Sequence, residues 1–169
     1  YLYLNPQIPP VETLTNVGIK APLRIYSNDG KLIQEFGERL IPVKYAEIPY
    51  LFVRALLDTE DKRFFEHSGV DPVTLVNATW QLVRHQGAIT TGASTITMQL
   101  VKNISGSKEE LFIRKFKEIL LAIKLERELS KEEILAFYLN VVPFGKHAYG
   151  VQAAANTYYG RNVDELTLA

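Results

Sequence analysis

Between residues 60 and 69 the chain reads Glu60-Asp61-Lys62-Arg63-Phe64-Phe65-Glu66-His67-Ser68-Gly69, with acids, bases, a histidine and two aromatic rings in ten positions. Before it, Leu51, Ala55, Leu56 and Thr59 recur at helical spacing and lead directly into Glu60. A carboxylate held against apolar surface has a raised proton affinity, which suits Glu60 to act as a base or acid near neutral pH. The competing reading of the same run is a solvated helix end carrying charge pairs.

A second constellation is Gly92-Ala-Ser-Thr-Ile-Thr-Met-Gln-Leu-Val-Lys-Asn103, in which Ser94, Thr95, Gln99 and Lys102 line up along a loop and the helix that follows. Hydroxyls, an amide and an ammonium suit a pyrophosphate. Gln99 and Lys102 are three apart and share a helix face, while free backbone donors at the helix start favour an anion. A plainer role for the Ser/Thr cluster is to cap the helix. The run is not a nucleotide P-loop, because Ala93 stands where that motif needs lysine. His67, His85 and His147 lack ligand-like spacing, so no built-in metal site is expected.

The third constellation is Arg114-Lys115-Phe116-Lys117-Glu118. On a helical wheel Phe112, Phe116, Ile119, Leu120 and Ile123 form the main apolar face, with Arg114 and Glu118 opposite. Leu111, Leu121, Ala122 and Leu125 flank that pair, so it reads as charge set in a partly apolar wall, which is costly unless used or well satisfied. An exposed i, i+4 ion pair is the ordinary alternative.

These groups need elements to hold them. Residues 5 to 22, with Pro6, Pro9, Pro10 and Pro22, read as an irregular linker. Leu23–Tyr26 and Lys31–Phe36 alternate around an Asp-Gly turn, the signal of a short hairpin. Asp71 caps a helix with Pro72 at its first position, running to about His85. On it Thr74, Asn77, Gln81 and Arg84 make one narrow polar strip, and Val73, Leu75, Val76, Trp80, Leu82 and Val83 cover most of the rest. Such a helix is either buried on two sides or touches both core and lipid. Residues 86 to 97 read as a mobile loop before a helix carrying Met98 to Lys102. Ser107 with Glu110 and Ser130 with Glu133 are capping boxes for helices at about 108–128 and 131–140. Residues 164–169 resemble the start of a further helix. No internal repeat appears, and the class is mainly α.

At 169 residues the chain suits one domain with a sizeable core. Its 19 basic and 19 acidic residues cancel, which removes the basic excess expected of a nucleic-acid binder. With no cysteine there is neither a disulfide framework nor a thiolate metal site. Tyr1-Leu-Tyr-Leu4 is too short to cross a bilayer, which takes about 20 apolar residues, and residues 1–22 read as a linker after a missing transmembrane anchor. Residues 23–169 are then the working domain, truncated at its far end.

In order and spacing the three constellations resemble the peptidoglycan glycosyltransferase family, the amino-terminal domain of class A penicillin-binding proteins and their monofunctional relatives. The runs Lys131–Asn140 with Phe144-Gly145, and Gly150–Gly160, extend the likeness over roughly residues 20 to 169. The resemblance implies a lysozyme-like helical large lobe and a small jaw lobe dipping into the membrane, which the helix at 72–85 fits. It implies that Glu60 deprotonates the 4-hydroxyl of lipid II as that oxygen attacks the anomeric carbon of the growing glycan strand, expelling undecaprenyl pyrophosphate. Lys102, Arg114 and Lys115 would stabilise the leaving charge. Ser94, Thr95, Gln99 and Asn103 would shape the donor subsite, and Asp61, Phe64 and His67 would support the base. Glu118 would assist the donor side, holding Arg114 or a divalent ion (Mg or Mn). The implied setting is the outer face of the bacterial cytoplasmic membrane, with a transpeptidase domain in the full chain. A lysozyme-like hydrolase needs an acid for its leaving oxygen, whereas the second carboxylate here sits among cations. A lipid- or glycan-binding module would not need a base beside an anion site.

Overall fold

The burial pattern of residues 96–101 places one helix at the centre of the molecule. The computed structural model describes residues 23–27, 29–36, 42–84, 94–105, 111–146 and 148–167. The proposed linker, most of the loop at 86–97 and the Ser107/Glu110 capping box lie outside them.

Strands β1 (Leu23–Tyr26) and β2 (Leu32–Phe36) pair antiparallel, with Leu23 opposite Phe36 and a bulge after Ile25. Six α-helices follow among the described residues: α1 (Tyr50–Glu60), α2 (Pro72–Arg84), α3 (Ile96–Ser105), α4 (Leu111–Glu128), α5 (Lys131–Val141) and α6 (Val151–Tyr159). The mainly α class expected from the sequence is the class observed.

In α3, Ile96, Thr97, Met98, Leu100 and Val101 are all buried, because the helix packs on both α4 and α5. Half-buried Gln99 and exposed Lys102 and Asn103 form a strip left for other uses. The remaining core comes from Val53 and Leu57 of α1, Leu121, Ala122 and Leu125 of α4, Ile134, Leu135 and Leu139 of α5, and Val151 and Ala155 of α6. A buried leucine or isoleucine is worth about 1.5–3 kcal/mol relative to exposure, so this centre holds the helices in place.

Local signals account for the ends. Asp71 Oδ1 accepts from Val73 N at 3.0 Å and Oδ2 from the Thr74 hydroxyl at 2.7 Å, capping α2 as expected. At α5, Ser130 Oγ accepts from Glu133 N while Glu133 Oε2 accepts from Ser130 N, the reciprocal capping box. The segment before α1 is tied to α5 by Asn140, whose amide accepts from Val43 N and donates to Val43 O, both at 2.9 Å.

Three expectations are corrected. First, α3 begins at Ile96, inside the stretch read as loop, because Thr95 Oγ1 accepts from Met98 N at 3.2 Å and caps it. Second, the core face of α4 is the Glu118, Leu121, Ala122, Leu125 side, while Phe116 of the supposed main apolar face is 46% exposed. The Arg-Glu side is buried because α3 and α5 lie against it. Third, the described residues of the stretch 164–169, up to Thr167, do not start an α-helix: a 3₁₀ turn spans Val163–Glu165 and the backbone is extended at Leu166.

Candidate active site

Glu60 is the last residue of α1, and its carboxylate is exposed rather than set against apolar surface as expected. Val53 and Leu57 are the buried residues of α1, and Glu60, on the same side but at the helix's last position, lies beyond the packed part and is exposed. Its Oε2 accepts from Gln99 Nε2 at 2.9 Å, and Gln99 Oε1 in turn accepts from the Tyr138 hydroxyl at 3.0 Å. Burial, and then the Glu60 charge, push the Tyr138 phenol up to about 12, so it keeps its proton. Glu60 lines a cleft of about 300 Å³ with Asp61, Arg63, Thr74, Asn77 and Ser94. A larger cavity of about 790 Å³ lies by Tyr50, Leu51 and Tyr159 at the other end of α1. Among the described residues that line it Arg161 alone is charged, and no pair of groups suited to acid–base chemistry gathers there.

Behind Glu60, Asp61 is a buried hub. Both its oxygens face His67 Nε2, at 3.1 and 3.0 Å, and Oδ2 also accepts from Ile96 N at 3.0 Å. His67 Nδ1 accepts from Gly69 N at 3.2 Å, so the proton sits on Nε2 and points at Asp61. The sequence points to the α3 start as a place for a bound anion; instead Asp61 and Thr95 take two of its donors, Ile96 N and Met98 N. The anion at this helix end is the protein's own.

Phe64 is fully buried, edge-on to His67 with ring centroids 6.1 Å apart, and anchors the loop that carries these groups. Lys131 Nζ lies 4.3 Å over the Phe64 ring, donates to His67 O at 2.7 Å and pairs with Glu126. Glu126 also accepts from Thr97 at 2.6 Å, so α3, α4 and α5 all brace the loop. Gly69 is irreplaceable here: its φ is +91°, and a Cβ would meet Ala122 O at 2.7 Å. Thr95 closes the arrangement by donating to Gly69 O at 2.6 Å.

Asp71 forms the opposite wall. Burial pushes its carboxyl up, but hydrogen bonds from Thr74 and Val73 and the Arg63 guanidinium outweigh this and hold it below its ordinary value. The Arg63 NH1 lies 3.2 Å from Asp71. The described part of the polar strip on α2, Thr74 and Asn77, faces the cleft. Its apolar residues Val76 and Trp80 are 67% and 65% exposed, which rules out burial of α2 on two sides.

The cationic part adjoins the cleft through Ser94. Lys115 Nζ donates to Ser94 Oγ at 2.8 Å and to Glu118 Oε2 at 3.2 Å, and Arg114 Nε lies 3.6 Å from Glu118 Oε1. Glu118 is buried, as the apolar flanks on the wheel suggested, and two cations compensate it. Lys102 and Asn103 are exposed one turn beyond Gln99 on the same strip of α3. The structure thus joins Glu60 to Gln99, Asp61 to His67, and Ser94 to Lys115, Glu118 and Arg114. Thr95, like Phe64, serves the scaffold more than the cleft. Sequence reasoning passed over Tyr138, Arg63, Asp71, Glu126 and Lys131 as site residues. The one available signal was a tyrosine in an otherwise apolar helix face, where a buried hydroxyl needs a partner.

A family model described as Transglycosylase matches residues 29–169. Among curated relatives, Penicillin-binding protein 1A of Pseudomonas aeruginosa is 51% identical over 100% of this chain and 21% of its own length. The protein of the same name from Escherichia coli is 49% identical over 99% of this chain and 20% of its own length, and that from Vibrio cholerae 45% over the same shares. The chain therefore spans about a fifth of the length of these relatives. A family match over most of the chain, with about half its residues shared by relatives, establishes that this chain belongs to the transglycosylase family of peptidoglycan glycosyltransferases, in keeping with two constellations that line one cleft and a third that adjoins it through Ser94.

Proposed function

We propose that this domain polymerises lipid II into β-1,4-linked glycan strands with release of undecaprenyl pyrophosphate, Glu60 serving as general base. One observation carries the reading: the Glu60 carboxylate is open to the cleft, with Oε2 held by Gln99 and Oε1 unpartnered among the described residues. The free oxygen takes the proton from the acceptor 4-hydroxyl while that oxygen bonds to the donor anomeric carbon and the pyrophosphate leaves with its electron pair. Pyrophosphate leaves without protonation, so no partner acid is required. Charge growing on it is met by Lys115 and Arg114 beside Ser94, with Lys102 further along α3. Glu118 fixes these cations and is held by them, which suits positioning more than proton transfer.

The residues do not fit a divalent ion held by protein alone. Arg114 and Lys115 face the two Glu118 oxygens, and no group of three His, Cys, Asp or Glu side chains gathers among the described residues. A Mg or Mn ion enters this proposal only as a companion of the pyrophosphate.

Val73, Val76 and Trp80 on α2, with Ile113 and Phe116 on α4, expose apolar surface that suits a membrane-docked jaw. No described helix is long and apolar enough to cross a membrane. Placement at the outer face of the cytoplasmic membrane and a transpeptidase domain in the full chain belong to the same proposal. The test is to incubate labelled lipid II with the full-length protein and its Glu60→Gln variant. Long glycan chains from the unsubstituted protein alone are expected; chains from both would remove Glu60 as base.

A further inference from the structure

We infer that Tyr138 is a positioning residue for proton transfer, acting through the Gln99 side-chain amide to hold Glu60 in its proton-accepting orientation. The inference rests on the reading of Glu60 as base. The three groups come from three helices: Tyr138 from α5, Gln99 from α3 and Glu60 from the end of α1.

The polarity of the chain follows from its end. An ionised carboxylate only accepts, so Gln99 must present its NH2 to Glu60, which turns its carbonyl to Tyr138, which must donate. An amide with no further partner could rotate and set its carbonyl oxygen against the carboxylate. The Tyr138 hydroxyl removes that choice. It is fit for this because the residue is 3% exposed and its phenol stays protonated. Gln99 is half-buried, and its backbone is anchored by Met98 and Leu100 on either side of it, both fully buried.

Glu60 needs such a restraint. It is exposed at a helix end, and Gln99 is its one hydrogen-bond partner among the described residues. A carboxylate free to swing loses the alignment on which proton transfer depends. In the bound state Oε1 receives the acceptor proton while Oε2 remains with Gln99, so the relay orients the base without entering the bond changes.

The test measures initial rates on lipid II for the full-length protein and for Tyr138→Phe, Gln99→Ala, the double variant and Glu60→Gln, with a melting curve for each. Tyr138→Phe removes only the hydroxyl. We expect kcat to fall about three- to tenfold, the rate equivalent of one neutral hydrogen bond, with KM unchanged within about twofold. The double variant should be no slower than Gln99→Ala, because the phenol acts only through that amide. Additive losses would show that Tyr138 acts through packing and would overturn the inference, whatever the melting curves show. A wild-type kcat in Tyr138→Phe, or a change confined to KM, would overturn it as well. If Glu60→Gln is inactive in that case, the base reading survives alone. If Glu60→Gln polymerises normally, both fall together.

Discussion

Replacing Asp61 by alanine should destabilise this domain far more than an average point substitution. The carboxylate serves two buried donors, His67 Nε2 and Ile96 N, at 3.0–3.1 Å, and links α1 to the start of α3 and to the Gly69 loop. Alanine leaves both donors orphaned in a region where the His67 and Asp61 side chains are 1% and 5% exposed. Each stranded donor costs about 1–3 kcal/mol, and the lost charge at the α3 N-terminus adds about 0.3–1 kcal/mol. The sum centres on roughly 4–5 kcal/mol, a large share of the 5–15 kcal/mol that holds a domain together. For a domain of this size that is a fall in melting temperature of roughly 10 °C or more. Circular dichroism at neutral pH measures it, with Asp61→Asn as a second point. Asparagine keeps one acceptor oxygen but turns its NH2 toward the other donor, so it should recover part of the loss. A melting temperature for Asp61→Ala within about 3 °C of the parent would refute this account of Asp61 as a hub.

Two further outcomes follow from the walls of the cleft. Asp71 is held below its ordinary value of 3.8, so its contribution is present above 3.8 and disappears as pH falls through the lower folded-state value. Asp71→Asn should therefore melt lower than the parent at pH 7, and the gap should close below pH 3.8; a gap that persists in acid would contradict the assignment. Val76→Glu with Trp80→Glu changes residues that are 67% and 65% exposed, so melting should shift little while binding to vesicles of anionic phospholipid weakens. Unchanged binding would remove α2 from the membrane-facing surface.

Short-range chemistry was legible along the chain. The Asp71-Pro72 start of α2 and the Ser130/Glu133 box of α5 were readable because a cap is made by neighbours three residues apart. The family was readable because its motifs are local strings of fixed spacing, and Glu60, Gln99, Ser94, Lys115 and Glu118 fall within them. Periodicity went wrong on α4, since a wheel with apolar residues on two sides cannot say which side its neighbours will cover. It was silent on α2 for the same reason, until the fold left Val76 and Trp80 uncovered.

What the sequence by itself determined was the class, the caps of α2 and α5 and many of the groups able to do chemistry. Tertiary structure alone decided which of them meet. Asp61 lies 35 residues from the amide it caps, Gln99 lies 39 from both Glu60 and Tyr138, and Lys131 lies 64 from the carbonyl it holds. Those pairings depend on how α3 packs between α4 and α5. Packing of that kind is set by the shape and volume of many buried side chains together, and no single stretch of the chain encodes it.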